Sequence, residues 1–113
     1  MSSVKITNIG FDTLAILVRY MSEFIGEGKA LLLGESLIDV AMQKLESFSL
    51  QCPICHELDL IGVTDYGQLT IDDRYKILYR YDASNDESSV MAFLRQKQSA
   101  QELLVQYLLL NHH

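Results

Sequence analysis

Two cysteines and a histidine, Cys52, Cys55 and His56, lie in the C-x-x-C-H spacing of covalent haem attachment. That modification accompanies export, and the first residues of the chain have neither the apolar stretch nor the cleavage site of a signal peptide. A zinc site would need two more ligands, and the only other histidines are residues 112 and 113. A thioredoxin-like pair would follow a strand in a βαβ unit, which the predicted order of elements does not provide. We therefore interpret both cysteines as packing residues in a reducing compartment, and we predict no metal and no other cofactor.

Basic side chains concentrate near the C-terminal third of the chain. Residues 74–113 carry five bases and four acids, net +1, whereas residues 1–73 carry four bases and eleven acids, net −7. The overall charge of −6 argues against a general surface for nucleic-acid phosphates. Neighbouring strands would bring several side chains of one basic group to a single surface, and the members of this group are Arg74, Lys76, Arg80, Arg95 and Lys97. We predict that a target is contacted by Lys76, Arg80, Arg95 and Lys97. The alternative is a solvated sheet face, and the alternation of side chains along strands could also divide the group between two faces.

Motifs for hydrolysis or phosphate binding are missing from the sequence. The pair Gly26 and Gly28 stands alone and does not follow a strand, so it is not a phosphate-binding loop. No Gly-x-Ser-x-Gly elbow occurs, and His56 has no evident partner for nucleophilic chemistry. We predict no catalytic residue.

The first half of the chain has the apolar period of two helices. Apolar residues recur every three or four positions over residues 11–25 and again over residues 30–48, with a break at residues 26–28. This pattern predicts a helical hairpin, and Gly34 within the second helix predicts a close approach of the two helices. In the first helix the inward stripe is predicted to contain Leu14, Ala15 and Val18.

Other apolar residues of the first helix fall outside that stripe, among them Leu17, Tyr20 and Phe24. One sheet cannot cover them all, so we predict that these three residues contact a partner protein. A homodimer through the same patch is the alternative.

The remaining elements are strands and one last helix. Alternating patterns predict strands over residues 4–8, 63–71, 74–82 and 89–97, with residues 49–62 as a loop. In the third strand the face that contains Ile77 and Tyr79 should be buried, and the face with Lys76 partly open. Ser99 can cap a final helix that packs back through Leu103, Leu104, Tyr107 and Leu108. The order β-α-α-β-β-β-α predicts an α+β fold in a single domain over residues 1–113.

No apolar run is longer than the five residues of 14–18, which is far too short to cross a bilayer. Apolar residues make up 49% of the chain and charged residues 21%, which is typical of a globular protein with a core. We expect a cytoplasmic protein.

Two strings resemble the RelE/ParE superfamily of toxins. Residues 74–82, RYKILYRYD, resemble the Y-R-I-L-Y-R-V-D third strand of that family, and residues 94–99, LRQKQS, resemble its L-H-x-R strand end. The exit of the second helix, residues 45–48, is similar to the family's L-x-x-x-P helix exit, and the order of elements agrees over nearly the whole chain. The resemblance implies the toxin of a type II toxin–antitoxin module, of the kind that stabilises plasmids or prophages.

The family contains ribosome-dependent mRNA endonucleases of RelE type and DNA gyrase inhibitors of ParE type. An endonuclease of this family has a basic cleft for RNA, but residues 65–71 contain no Lys or Arg, and Gln96 stands where arginine would be favoured. The resemblance and the acidic net charge therefore imply a ParE-like inhibitor that binds gyrase and is neutralised by a cognate antitoxin. The alternatives are a RelE-like mRNA endonuclease and a weakened or repurposed family member. Because antitoxins of this family wrap the helical hairpin, the resemblance assigns Leu17, Tyr20 and Phe24 to antitoxin binding.

Overall fold

The computed structural model describes residues 3–48, 53–103 and 106, and its elements follow the predicted order with one short helix added. The elements are β1 (Ser3–Ile6), α1 (Asn8–Ile25), α2 (Glu27–Phe48), α3 (His56–Asp59), β2 (Gly67–Ile71), β3 (Tyr75–Asp82), β4 (Glu87–Arg95) and α4 (Ala100–Leu103). The predicted α+β class is confirmed. The segment predicted to be a loop contains α3, while Cys52, Leu104, Tyr107 and Leu108 lie outside the described residues.

The four strands form one sheet in the order β1-β4-β3-β2, in which only the β1–β4 pair is parallel. The register of β3 and β4 shifts between Leu78 and Tyr79, because Leu78 pairs with Ala92 and Tyr79 with Val90. Met91 is therefore the extra residue of a bulge. Because of this extra residue, each β4 side chain from Ala92 onwards lies on the face opposite to the one that it would occupy in a strand without a bulge.

The helical hairpin covers one face of the sheet. The buried residues of this first core are Leu14, Leu17, Leu37, Ala41, Leu45, Leu69, Ile77, Tyr79, Val90 and Phe93. Gly34 permits the predicted close approach of the helices, since a Cβ there would lie 2.8 Å from Val18 Cγ2. The prediction that Ile77 and Tyr79 share a buried face is confirmed.

The opposite face of the sheet is covered too. The last helix packs back through Leu103 as predicted, but the α3 segment adds a cover that was not predicted. A second core contains Cys55, Leu58, Tyr66, Leu78, Ala92, Leu94, Ala100 and Leu103. Cys55 and Leu58 come from the α3 segment, and Ala100 and Leu103 come from α4. Within the described residues, α3 and α4 thus close over the part of the face that was predicted to be open.

Threonine hydroxyls join the start of α1 to β4. Thr7 caps α1 by accepting a hydrogen bond from Gly10 N–H at 3.0 Å, and its own hydroxyl donates to Val90 O. The buried Thr13 hydroxyl accepts the N–H of Phe93 at 3.0 Å, beyond the residues of β4 that pair with β1. A helix side chain therefore satisfies a buried strand donor at the point where the neighbouring strand has ended.

A turn over Asp72, Asp73 and Arg74 joins β2 to β3. Asp72 and Asp73 both have positive φ, 54° and 55°, and Arg74 N–H donates to Ile71 O at 3.0 Å. This is the geometry of a type I′ hairpin turn. At the end of the sheet, Ser99 Oγ accepts the N–H of Glu102 at 3.1 Å, which confirms the predicted cap of the last helix. In the described part of the chain, no helix combines the length and the apolar character that a membrane span requires.

Candidate functional site

Lys76 is buried rather than open, with only 1% of its surface exposed. Its ammonium group donates to Glu57 Oε1 at 2.5 Å. The second carboxylate oxygen of Glu57 accepts the N–H of Ala100, and the backbone oxygen of Glu57 accepts from Gln101 Nε2. The prediction that Lys76 belongs to an exposed basic surface is wrong, because α3 and α4 cover this face. Instead, the lysine links β3 to α3, and Glu57 links α3 to the start of α4.

Arg80 lies on the same face of β3 as Lys76 but beyond this cover. Its guanidinium forms an ion pair with Asp65 at 2.7 Å, and both side chains are about half exposed. The guanidinium also lies 5.7 Å from the centre of the Tyr66 ring. Burial raises the pKa of the Tyr66 phenol, while the Arg80 charge opposes that shift. Arg80 is thus already neutralised by a local acid.

Three other cations gather where β3 begins and β4 ends. Tyr75 pairs with Arg95 in the sheet, and Gln96 N–H donates to Arg74 O at 2.8 Å. An open cavity of about 310 Å³ at this place is lined by Met21, Asp73, Arg74, Tyr75, Arg95, Gln96 and Lys97. We call Arg74, Arg95 and Lys97 the basic corner. No ion pair found among the described residues involves any of the three.

The four residues predicted to bind a target therefore do not share one surface. Arg80 and Lys76 are on the α3 side of the sheet, whereas Arg95 faces α1 on the other side. Along β3, Arg80 is also five residues from Tyr75, the partner of Arg95, a separation of roughly 16 Å at strand rise. Only Arg95 and Lys97 are brought together, and Arg74 joins them.

The basic corner continues into exposed apolar residues of α1. The Arg95 guanidinium lies 3.9 Å from the centre of the Tyr20 ring, and the Tyr20 and Phe24 ring centres are 5.1 Å apart. Phe24 is 66% exposed and Ile16, one turn before Tyr20, is 47% exposed. We call Ile16, Tyr20 and Phe24 the aromatic stripe. A stack of guanidinium and two rings thus connects a charged patch to an apolar one.

Leu17 does not belong to this exposed surface. It is 2% exposed and packs in the first core, whereas Ala15, predicted to face inward, is exposed. The prediction that Leu17 is exposed and available to a partner protein is wrong. The buried face of α1 is centred on Thr13, Leu14 and Leu17 because α1 packs against β4 as well as α2.

A groove between α1 and α2 forms a second apolar surface. Its lining includes Phe11, Ala15 and Val18 from α1 and Leu31 and Ile38 from α2, around a cavity of about 510 Å³. Phe11 and Leu31 are 50% and 59% exposed. The groove lies on a different side of α1 from the aromatic stripe, so the helix presents two separate apolar surfaces.

Cys55 is a buried free cysteine in the second core. Burial raises the pKa of its thiol, so the thiol is protonated at neutral pH and is a poor nucleophile. This placement agrees with the interpretation of Cys55 as a packing residue. In residues 3–48, 53–103 and 106, no group of three Cys, His, Asp or Glu side chains is placed to hold a metal ion.

Two contributors to these sites were not predicted from the sequence. Glu57 was assigned to a loop, and nothing in the spacing of Glu57 and Lys76 indicates that they meet. Arg74 was singled out with the basic group of the strands but was not among the four residues predicted to contact a target. Its position at the start of β3, opposite the end of β4, is the signal that could have placed it beside Arg95.

Comparison with known proteins gives similarity of structure without similarity of sequence. No family model matches the chain, and no curated protein matches it. A chain from the "chromosomal ParDE TA system from P. aeruginosa" is similar with a TM-score of 0.67 and 20% identity, over 84% of this chain and 96% of that one. A chain from the toxin–antitoxin complex RelBE2 of Mycobacterium tuberculosis is similar with a TM-score of 0.60 and 14% identity, over 86% of this chain and 93% of that one. The predicted RelE/ParE-like fold is thereby confirmed.

Proposed function

We propose that a chain with this RelE/ParE-like fold is the toxin of a type II toxin–antitoxin module, of ParE type, and that it inhibits DNA gyrase by binding it. The observation that carries the proposal is the match over more than four fifths of the chain to two structures described as toxin–antitoxin systems. The proposed partner is therefore a cognate antitoxin, and the module would serve plasmid or prophage stabilisation.

Support for a binding inhibitor, rather than an mRNA endonuclease, comes from the cations of β3. An endonuclease needs free cations that hold RNA and steady phosphate charge. Lys76 is buried against Glu57, and Arg80 is paired with Asp65. Both cations of β3 thus have an acid of the same chain as a partner, Lys76 in a buried pair and Arg80 in a half-exposed one.

The proposed target-binding residues are Arg95 and Lys97, together with Arg74. These three cations are not engaged in ion pairs in the described part of the chain and line one cavity. Lys76 and Arg80 are withdrawn from the predicted set because of their local acids. For the antitoxin we retain Tyr20 and Phe24, add Ile16 from the same stripe and withdraw Leu17.

The test of the gyrase proposal uses purified protein with gyrase and plasmid DNA, and in parallel with translating ribosomes and mRNA. We expect cleaved plasmid to accumulate with gyrase, and mRNA to stay intact. The double variant Arg95→Glu/Lys97→Glu should abolish the effect, whereas the matched variant Lys29→Glu/Lys44→Glu on α2 should keep it. Codon-linked cuts in mRNA would instead establish the endonuclease alternative, and inactivity in both assays would establish a repurposed family member.

The antitoxin part of the proposal has its own test. Phe24→Asp should weaken binding of the antitoxin encoded beside this chain by about 2 kcal/mol or more, as loss of an interface anchor does, while leaving toxicity intact. Phe24 is exposed, so the variant should fold. Loss of self-association, with unchanged antitoxin affinity, would show that the stripe forms a homodimer.

A further inference from the structure

The basic corner and the aromatic stripe are physically continuous. Arg95 belongs to the cavity of the corner and also lies over Tyr20, which in turn contacts Phe24. A partner that enters the cavity therefore meets the stripe directly. The two surfaces should be treated as one site with a charged end and an apolar end.

The charged end is suited to a carboxylate. With Tyr20 against one face of its guanidinium, Arg95 keeps the N–H groups at the edge of its plane for an acceptor. The planar edge of arginine matches a carboxylate with two parallel hydrogen bonds. Arg74 and Lys97 add positive charge at the same cavity. A carboxylate placed there would have three cations and one acid, Asp73, among the residues that line its cavity.

The apolar end is suited to side chains of a helix or an extended peptide. Ile16, Tyr20 and Phe24 follow one another at intervals of four residues, so they lie on one face of α1 over about 12 Å. Polar groups do not interrupt that face between the two rings, which are in contact. An apolar strip of this length accommodates two or three partner side chains.

These features favour a protein segment over a nucleic acid. The chain has fifteen acids against nine bases, and a strand of phosphates would meet that charge well beyond the corner. A short acidic segment concentrates its charge at the three cations. The exposed Ile16 also offers a phosphodiester backbone no favourable contact, whereas it can be buried by an apolar side chain.

We infer that the basic corner and the aromatic stripe together bind an acidic amphipathic protein segment, with its carboxylates at Arg95, Arg74 and Lys97 and its apolar side chains on Tyr20, Phe24 and Ile16. The inference rests on the proposed function in one respect, namely that the antitoxin supplies this segment. Because Arg95 and Lys97 are also the proposed target contacts, the segment would neutralise the chain by occupying the same cations.

The experiment measures binding of defined probes by fluorescence anisotropy. The first probe is a fluorescein-labelled, alanine-rich helical peptide with two Glu residues in its first turn, followed by Leu residues at intervals of four. The second replaces both Glu by Gln, and the third replaces each Leu by Ala. The last probe is a labelled oligothymidylate of about 12 nucleotides, long enough for a single-strand site. We expect the first peptide to bind, each substituted peptide to bind about tenfold more weakly, and the oligothymidylate not to bind.

Variants of the chain locate the site. Arg95→Gln and Phe24→Ala should each weaken the first peptide by about tenfold, and Arg95→Lys should retain part of the affinity because it keeps the charge without the planar edge. Arg80→Gln is the matched control, since it removes the same group from an exposed position on the other face of the sheet and should leave peptide affinity unchanged.

The outcomes separate this inference from the proposed function. Peptide binding that depends on Arg95 and Phe24, with no effect on gyrase, would support the site and reject only the gyrase proposal. Gyrase inhibition without peptide binding would reject only the site. Binding of the oligothymidylate in place of the peptide would overturn the inference in favour of a nucleic-acid site, and equal losses in Arg80→Gln and Arg95→Gln would overturn it in favour of unspecific charge attraction.

Discussion

Lys76 and Arg95 stand on neighbouring strands, one position apart in the pairing of β3 with β4, yet they have opposite environments. Lys76 pairs with Leu94 and is buried under α3 beside Glu57, whereas Arg95 pairs with Tyr75 and lies over Tyr20 at an open cavity. The alternation of side chains sends them to opposite faces, and only the first of these faces has a short helix with an acid above it. One cation therefore stabilises the fold, and the other is available to a partner.

This difference shows that a basic residue in a family-like strand motif is not by itself a binding residue. What decides its role is whether an acid of the same chain lies within hydrogen-bond distance. Glu57 meets that condition for Lys76 and Asp65 meets it for Arg80, while no described acid pairs with Arg95. The predictions below test this division, beginning with the largest expected effect.

Glu57→Gln should destabilise the fold by about 3 kcal/mol, because it leaves the Lys76 ammonium buried without a counter-charge. Arg95→Gln should change stability by no more than about 0.5 kcal/mol, since it alters a surface position. Urea unfolding, followed by far-ultraviolet circular dichroism, measures both. Equal effects of the two substitutions would abolish the distinction between the cations.

The double variant Glu57→Gln/Lys76→Met is the control for this prediction. It removes both charges of the pair, so it should recover most of the stability lost in Glu57→Gln. No recovery would mean that the hydrogen bond that Ala100 N–H donates to the Glu57 carboxylate, rather than the buried charge, dominates the loss.

Two N–H groups of β4, those of Phe93 and Arg95, should also differ in how strongly they need a side-chain acceptor. Thr13→Val should cost about 1–3 kcal/mol, because it leaves the buried N–H of Phe93 without its acceptor. Gln98→Ala should cost less than about 1 kcal/mol, since Arg95 N–H is only part-buried and water can replace the Gln98 side chain. Unfolding free energies of the two variants give the comparison, and a larger loss in Gln98→Ala would contradict it.

Alkaline pH should destabilise the second core, to which Cys55 and Tyr66 belong. Burial raises the pKa of Cys55 above its ordinary value of 9.0 and that of Tyr66 above 10.0. Groups whose folded pKa is raised contribute stability that is fully present below the unfolded pKa and lost as pH rises through the folded pKa. The urea midpoint should therefore fall above about pH 9. Cys55→Ala should make this fall shallower, and an unchanged slope would exclude the thiol as a cause.

The smallest effect is expected from the turn beside the corner. Asp73 lines the cavity and Asp72 does not, although both have nearly the same φ in the same turn. Asp73→Asn should tighten binding of the acidic peptide by about twofold, because a carboxylate near the cations is removed. Asp72→Asn is the matched control and should leave affinity unchanged. Since Asn tolerates positive φ, neither variant should lose stability. If the Asp73→Asn and Asp72→Asn variants bind the peptide with equal affinity, the bound carboxylate does not lie near Asp73.

The order of elements was predictable because each long element has a clear apolar period. The short helix α3 was not, since four residues give no period that could be recognised. Without α3 the environment of Lys76 could not be foreseen, because its acid lies 19 positions earlier in a segment that reads as a loop. Strand alternation alone predicted which face Lys76 occupies but not what covers that face.

The position of Leu17 shows a second limit of the sequence. Leu14, Ala15 and Val18 fit the apolar face of a helix that packs against one neighbour. A helix that packs against two elements instead buries the face that lies between them. In α1 that face includes the polar Thr13, whose hydroxyl is needed by β4. Tyr20 and Phe24 were correctly placed outside that stripe, because they follow Ile16 by one and two turns on an exposed face of α1, where Tyr20 meets Arg95 of β4.

The parallel pairing of β1 with β4 has a consequence for synthesis on the ribosome. Thr7 bonds to Val90, 83 positions later, so the two halves of this contact emerge far apart in time. Folds with such distant contacts form more slowly than those with local ones. The helices α1 and α2 are complete long before the strands that bury their inner faces exist. During translation these apolar faces are open to other chains, and aggregation of the nascent hairpin is the hazard that a chaperone must prevent.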